Sequence, residues 1–195
     1  MGEAHGKPVH SSLEGAVNIH CAPSKAKLVL RGHPAALESV GRALALNLVG
    51  QSGSYVERES DRALWLGPNE WLLKSSEDSD VLINRIEREC AGLRYALVDV
   101  SSTYMTVHVS GQPSAFLLNH GCPLDLSAKA FGVGRCTRTL LGKSEIILSR
   151  VGKSRFEMDV LRSFTPYALQ FLRQASVGLG AGRIGKLRMA AVGMA

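Results

Sequence analysis

Four cysteines and one nearby histidine are the side chains of this 195-residue chain that could hold a metal ion. There is no Cys-x-x-Cys pair, and the nearest approach to a ligand pair is His120-Gly-Cys122, with Cys136 fourteen residues further on. A structural zinc site needs four ligands, and the spacing supplies no fourth. We therefore interpret Cys122, Cys136, Cys21 and Cys90 as reduced thiols that pack in the core, and we predict no metal site.

Motifs that bind nucleotides or activate nucleophiles are absent from the sequence. There is neither a phosphate-binding Gly-x-x-x-x-Gly-Lys-Ser/Thr loop nor a Gly-x-Ser-x-Gly elbow. The run Gly178-x-Gly180-x-Gly182 follows the last predicted helix, whereas a dinucleotide loop precedes one. No histidine stands in a recognisable nucleophile–base arrangement. The sequence thus predicts no catalytic and no cofactor-binding residue on this chain.

The string Leu66–Leu73 (LGPNEWLL) is the most informative local pattern. Gly67 and Pro68 favour a turn, and Asn69 tolerates unusual backbone angles. Trp65 or Trp71 supplies a large apolar surface that would hold the hairpin on the core. The alternative interpretation makes Glu70 an exposed carboxylate that recognises a partner.

Five further polar residues lie at the predicted ends of strands or turns. Asp125 follows a tight turn and should cap one helical turn. Arg135 and Arg138 enter a strand three residues apart, so they cannot both face the same way. Arg162 ends another strand beside a helix start, where an anion could dock. Asp99 also ends a strand, and such a residue more often bonds its own backbone. We treat Asp125 and the three arginines, with Gly67 to Trp71, as a candidate partner interface or structural motif.

The order of predicted elements occurs twice along the chain. Each copy consists of a strand, a helix opened by a proline, a hairpin and a second helix, which predicts an α+β fold with a tandem pseudo-repeat. In the first copy the strand is 27–31, the helix begins at 33–34, the hairpin is 63–66 with 71–74, and the second helix begins at 78–79. In the second copy the matching parts are 105–109, 112–113, 145–148 with 156–161, and 165–166.

Composition sets the limits of the folded region. Residues 1–25 are polar and lack periodicity, which predicts a flexible arm. Residues 26–176 should form the domain, with half-repeats of about 26–92 and 96–176. Residues 177–195 are rich in glycine and basic, so we expect a tail that orders only against another surface.

Charge is distributed unevenly along the chain. Residues 1–126 hold 11 basic and 14 acidic side chains, whereas residues 127–195 hold 12 basic and 3 acidic ones. This pattern predicts a basic face that meets an acidic partner, a polyanion or a charged cofactor, and the alternative is a solvated surface with a basic tail. Aromatic residues are only 6% of the chain, so we expect no nucleic-acid partner. No long apolar run or apolar leader is present, and we expect a cytoplasmic protein with no membrane contact.

Five strings in order resemble the gamma subunit of heterotetrameric sarcosine oxidase. The resemblance covers about residues 26 to 175, and the usual motif has Asp at the position of Asn69. The strings are LGPNEWLL (66–73), VDVSSTYMTVHVSG (98–111), GCPLDL (121–126), GRCTRTLLGKSEIILSR (134–150) and FEMDVLRSFTPYALQFL (156–172).

The resemblance implies both a fold and an assembly. The fold would be related to the folate-binding domain of aminomethyltransferases. The complex demethylates sarcosine oxidatively to glycine, yielding hydrogen peroxide and, with tetrahydrofolate, methylenetetrahydrofolate. The partner subunits alpha, beta and delta would bind FAD, FMN, NAD and tetrahydrofolate. This chain would be a non-catalytic subunit of the same complex, in direct contact with the alpha subunit. The alternative is a stand-alone folate-binding protein of one-carbon metabolism, in which Asp99 or Asp125 reaches the pterin.

Overall fold

Two mainly antiparallel sheets form the framework of the chain. The structure is a computed structural model that describes residues 17–22, 26–49, 52–178 and 185–188. The strands are β1 (Asn18–Ala22), β2 (Ala26–Gly32), β3 (Tyr55–Arg58), β4 (Asp61–Gly67), β5 (Glu70–Ser75), β6 (Tyr95–Asp99), β7 (Tyr104–Ser110), β8 (Cys136–Leu141), β9 (Ser144–Gly152), β10 (Arg155–Leu161) and β11 (Gly185–Arg188). The helices are α1 (Pro34–Leu44), α2 (Ser79–Glu89), α3 (Ser114–Asn119) and α4 (Thr165–Gly178), with a short 3-10 helix at Arg162–Phe164.

The first sheet has the order β3-β4-β5-β2-β6, and α1 and α2 contribute to the core beside it. Pro34 opens α1 as predicted, because its missing N–H is not needed in the first turn. The helix ends earlier than its spacing suggested, since Ala45 adopts a left-handed conformation with φ 52°. Leu48, which the apolar spacing assigned to the helix, therefore lies beyond α1 and is still buried in the same core.

The second sheet has the order β11-β1-β7-β10-β9-β8, and α3 and α4 contribute to its core. The predicted apolar positions Ala168 and Leu172 of α4 are fully buried there. Apolar side chains of β7, β9 and β10 complete this core. None of the helices in the described ranges is long and apolar enough to cross a bilayer.

Each sheet contains one strand from the other half of the sequence. β1 pairs with β7 of the second half, and β6 pairs with β2 of the first half, both antiparallel. The predicted hairpins are confirmed as β4–β5 and β9–β10. The α+β class is therefore as predicted.

Two predicted boundaries differ from the structure. Residues 18–22, which were assigned to the flexible arm, form β1 inside the second sheet because they pair with β7 along their whole length. Residues 185–188 of the predicted tail form β11, which pairs with β1 in parallel. The remainder of the arm, residues 1–16 and 23–25, and tail residues 179–184 and 189–195 lie outside the described residues.

A small apolar cluster joins the two sheets. It contains Leu64, Leu66 and Leu72 from the first sheet and Cys136 and Ile147 from the second. Burial raises the pKa of the Cys136 thiol to about 12, which agrees with the interpretation of this cysteine as a packing residue. The four cysteines are free thiols.

Candidate functional site

Charged side chains are buried between the two sheets, beside the apolar cluster. The first sheet contributes the bases Lys27, Arg62 and Lys74, and β10 of the second sheet contributes the acids Glu157 and Asp159. Side chains two residues apart on a strand share a face, so both acids point toward the first sheet. We call these five residues the charge cluster.

Asp159 lies at the centre of the charge cluster and is fully buried. Its carboxylate lies 3.1 Å from the ammonium group of Lys27 and 3.0 Å from that of Lys74. Thr106, its neighbour on β7, donates a hydrogen bond of 2.6 Å to Oδ1. Lys27 also donates to the carbonyl of Tyr104 at 2.8 Å. Asp159 is thus the shared counter-charge of both lysines.

Glu157 connects the buried part of the charge cluster with residues nearer the solvent. Its Oε2 accepts hydrogen bonds from Arg62 at 2.8 Å and from Lys74 at 3.3 Å. Arg62 also pairs with Glu57 at 2.7 Å. The other oxygen, Oε1, lies 3.7 Å from Nδ1 of His108, whose ring stacks on that of His20 with centroids 4.7 Å apart.

Burial and charge act in opposite directions on these acids. Burial alone would raise the pKa of Asp159, but the positive charges of Lys74 and Lys27 outweigh it and lower the pKa. Burial likewise opposes ionisation of Glu157, and Lys74 and Arg62 lower its pKa. For His108, burial is the largest cause and lowers the pKa, against the attraction of Glu157. Both carboxylates are therefore ionised and His108 is neutral at pH 7.

A cleft of about 300 Å³ opens beside the charge cluster. Charged and hydroxyl side chains make up much of its wall: Glu57, Glu59, Ser60, Asp61, Arg62, Lys74, Ser75, Ser76, Thr106, His108 and Glu157. Asp61 is held by Ser75 at 2.6 Å and by Arg85 at 2.5 Å. Within the described ranges, no group of three or more His, Cys, Asp or Glu side chains could hold a metal ion.

The predicted hairpin motif is confirmed, with one correction. Trp71 is 1% exposed and packs in the first core, and Asn69 adopts φ 60° in the turn between β4 and β5. The alternative that made Glu70 an exposed recognition group is wrong, because Glu70 is 8% exposed. Its two oxygens accept hydrogen bonds of 2.6 Å from Arg31 and from Arg138.

The Arg31–Glu70–Arg138 bridge connects the two sheets. Arg31 and Glu70 belong to the first sheet, and Arg138 lies on β8 of the second. Burial would raise the pKa of Glu70, but its hydrogen bonds with Arg138 and Arg31 outweigh burial and lower the pKa. The bridge therefore carries an ionised carboxylate between two cations.

The other predicted site residues are dispersed rather than gathered. Arg135 donates to the carbonyl of Ser52 at 3.4 Å, and Arg162 donates to that of Ser102 at 2.7 Å. Asp125 accepts from the amide of Ser127 at 2.8 Å, at the start of a turn. These intramolecular contacts hold loops in place, and a role of these residues in partner binding stays a prediction.

Asp99, the alternative pocket residue, bonds its own loop. Its Oδ1 accepts from the amide and the hydroxyl of Ser101, at 2.8 and 2.6 Å. The Ser101 hydroxyl also accepts from the amide of Lys27 at 2.9 Å. Asp99 therefore fixes the β6–β7 connection, as the more frequent behaviour of such residues suggested.

Sequence reasoning missed the charge cluster and Arg150. Arg150 is 5% exposed and donates to the carbonyls of Leu126 and Phe131, at 3.1 and 2.8 Å, and to that of Lys153. The available signal was a charged residue at an apolar position, such as Asp159 within FEMDVL. A charge there indicates a buried ion pair, since an unpaired charge is costly to bury.

The comparison with protein families decides which family the chain belongs to. Residues 31–178 match the profile of the sarcosine oxidase, gamma subunit family. That span includes most of both sheets, the Arg31–Glu70–Arg138 bridge and four of the five residues of the charge cluster. The chain belongs to the sarcosine oxidase gamma subunit family.

Curated relatives of this gamma-family chain cover most of its length. The sarcosine oxidase subunit gamma of Corynebacterium sp. strain U-96 is 27% identical over 175 residues, which are 88% of this chain and 84% of the relative. The Arthrobacter sp. subunit gamma is 28% identical over 159 residues, which are 82% of this chain and 74% of the relative.

Solved structures share the fold of the gamma-family chain. A chain of the heterotetrameric sarcosine oxidase from Corynebacterium sp. U-96, in complex with pyrrole 2-carboxylate, matches with a TM-score of 0.79 and 24% identity, covering 87% of this chain and 88% of that one. The glycine cleavage system aminomethyltransferase T from Bartonella henselae matches with a TM-score of 0.61 and 14% identity, covering 84% of this chain and 47% of that one. The expected similarity of fold to an aminomethyltransferase is confirmed.

Proposed function

We propose that this chain is the gamma subunit of a heterotetrameric sarcosine oxidase and supports assembly of that complex. The proposed complex demethylates sarcosine oxidatively to glycine, with hydrogen peroxide and methylenetetrahydrofolate as further products. The observation that carries the proposal is the match of residues 31–178 to the gamma subunit family. The fold shared with a chain of a heterotetrameric sarcosine oxidase supports it.

The proposed role is structural rather than catalytic. In the part of the chain that the structure describes, the buried carboxylates of Asp159, Glu157 and Glu70 pair with cations, namely Asp159 with two lysines, Glu157 with Arg62 and Lys74, and Glu70 with two arginines. Groups held in such pairs stiffen the contact between the sheets. This arrangement suits a preformed surface onto which larger subunits assemble.

We further propose that FAD, FMN, NAD and tetrahydrofolate bind to the partner subunits, and that alpha is the subunit in direct contact. The excess of basic residues after position 126 supports contact with an acidic surface. We place the complex in the cytoplasm, and the free thiols support a reducing compartment.

The two halves are proposed to be copies of one ancestral unit. The strand order of the first sheet, starting from its outer strand β3, is β3-β4-β5-β2-β6. The order of the second sheet, starting from its outer strand β8, is β8-β9-β10-β7-β1. The two orders correspond position by position. A helix follows β2 and β7, and another follows β5 and β10. This correspondence supports a pseudo-repeat in which β1 and β6 have exchanged sheets.

Co-expression tests the assembly role directly. The chain would carry an affinity tag and be expressed with the alpha, beta and delta subunits from the same source. We expect all three to co-purify with the tagged chain through size-exclusion chromatography. Recovery of the tagged chain alone, while the other three subunits form their own particle, would contradict the proposal.

A second candidate function is favoured by the fold shared with aminomethyltransferase T. The chain would then bind a reduced folate by itself, as a stand-alone protein of one-carbon metabolism. Calorimetric titration of the isolated chain with tetrahydrofolate separates the two candidates. Tight binding favours the folate-binding protein, and no heat of binding favours the assembly subunit.

A further inference from the structure

In the described part of the chain, the outer edge of β6 has no partner strand, whereas the corresponding strand of the second sheet, β1, pairs with a further strand. β6 pairs with β2 on one side only, and β1 has the corresponding place beside β7. On its other side, β1 pairs with β11. Among the described residues, nothing pairs with the corresponding side of β6.

The unpaired side of β6 presents backbone groups to solvent. The amide of Val100 donates to the carbonyl of Lys27 on β2 at 2.9 Å. Backbone groups alternate in direction along a strand, so the amides of Tyr95, Leu97 and Asp99 point away from β2. These are the donors and acceptors to which an added strand would bind.

Side chains do not protect this edge as they do at other outer strands. β3 carries Glu57 and Arg58, and β8 carries Arg138, and charges of this kind oppose pairing with another chain. Residues 95–98 of β6 are Tyr, Ala, Leu and Val, with no charge and no proline. Val98 is 54% exposed, and it lies on the opposite face of the strand from Tyr95 and Leu97, which pack against the core that contains α1 and α2. An edge with four consecutive uncharged residues favours strand addition.

Charges of opposite sign lie at the two ends of β6. Arg94 is exposed before the strand and makes no hydrogen bond or ion pair with the residues that the structure describes. Asp99 ends the strand, and its carboxylate accepts hydrogen bonds from Ser101 and from Ser79. A complementary segment would therefore place a carboxylate beside Arg94 and apolar side chains along residues 95–98.

We propose that the outer edge of β6 receives an extended segment of a partner subunit, which adds a strand to the first sheet. The segment has an apolar residue that covers Val98 and an acidic residue that pairs with Arg94. This inference rests on the proposed function, because it specifies one surface through which the assembly subunit holds its partner.

Hydrogen–deuterium exchange of the wild-type chain provides the first test. Exchange would be measured on the isolated chain and on the co-expressed complex, with peptides that resolve residues 95–99. We expect exchange of the outward amides to be slowed at least about tenfold in the complex. Equal exchange in the two samples would overturn the proposal. Protection already present in the isolated monomer, or in a dimer detected by light scattering, would also overturn it, because the occupant would then be this chain itself.

A pair of matched variants provides the second test. Val98→Lys places a charge on the proposed contact, and Leu140→Lys places one on the outer strand β8, where Leu140 is 46% exposed. We expect Val98→Lys to reduce co-purified partner about tenfold, which corresponds to about 1.4 kcal/mol of binding free energy, with Leu140→Lys close to wild type. Melting temperatures of both isolated variants would show that each folds.

The outcomes separate this inference from the proposed function. If the wild-type chain co-purifies with no subunit, the proposed function fails. If the wild-type chain assembles, yet Val98→Lys assembles equally well and the β6 amides remain unprotected, the assembly role stands and the edge is not its contact.

Discussion

Asp159 shows how a single buried carboxylate can hold two sheets together. It interacts with lysines of β2 and β5 and with Thr106 of β7, so its contacts span both sheets. Removing one member of a buried ion pair leaves its partner desolvated, and this costs more free energy than the pair itself contributes. The charge cluster is therefore more sensitive to single substitutions than to concerted replacement.

We expect Asp159→Asn to lower the free energy of unfolding by about 3 kcal/mol, because two buried lysines lose their shared counter-charge. Urea denaturation followed by circular dichroism measures this change. Glu59→Gln is the matched control, since Glu59 is exposed and its substitution should change stability by less than about 0.5 kcal/mol. Equal effects of the two substitutions would show that the charge cluster contributes nothing specific.

His108 gives the fold a dependence on pH. Its pKa is lowered in the folded chain, chiefly by burial, from the ordinary value of 6.5. As the pH falls from 7 toward 5, the unfolded chain therefore takes up a proton that the folded chain does not bind, and stability decreases. We expect His108→Gln to flatten this dependence, which urea denaturation at about pH 5, 6 and 7 would measure. Parallel slopes for His108→Gln and the wild type would contradict the assignment.

Residue types predicted local contacts better than distant ones. The roles of Trp71 in the core and of Asn69 in a turn follow from a few neighbouring residues. Lys74 and Asp159 are 85 residues apart, and only the pairing of whole sheets brings them together. No local pattern reveals such a partner, although the charge within an apolar strand indicates that one exists.

At the scale of elements, the hairpins and helices could be predicted because turn residues and apolar spacing are local signals. β1 and β3 are short and contain polar residues (NIHCA and YVER), so their sequences carry little signal of a strand. β1 is stabilised by pairing with β7, more than eighty residues away in the sequence, and this is why a segment with little pattern of its own joins the sheet.

The β4–β5 turn allows a test of backbone geometry. Asn69 has φ 60°, a conformation that costs most side chains about 1–2 kcal/mol and glycine very little. We therefore expect Asn69→Val to lower the free energy of unfolding by about that amount and Asn69→Gly to change it little. Thermal and urea denaturation of both variants provide the comparison. A valine variant as stable as the glycine variant would show that the turn relaxes into another conformation.

For the whole molecule, the family and the fold lead to the same account. The order of motifs indicated the gamma subunit family, and residues 31–178 match that family. The pairing of β1 with β7 and of β6 with β2 could not be predicted from local patterns, because it depends on which strand each sheet accepts. These pairings connect the two halves of the sequence, and buried charges lie between the two sheets.

The most direct test of the central claim compares particles formed with and without this chain. The alpha, beta and delta subunits would be expressed once with this chain and once without it. Mass, flavin absorbance and peroxide release from sarcosine would be measured on each particle and on the isolated chain. We expect a complete, active complex only when the chain is present, and neither flavin nor peroxide production in the chain alone. Flavin bound to the isolated chain, or an equally active and equally stable particle without it, would contradict the account.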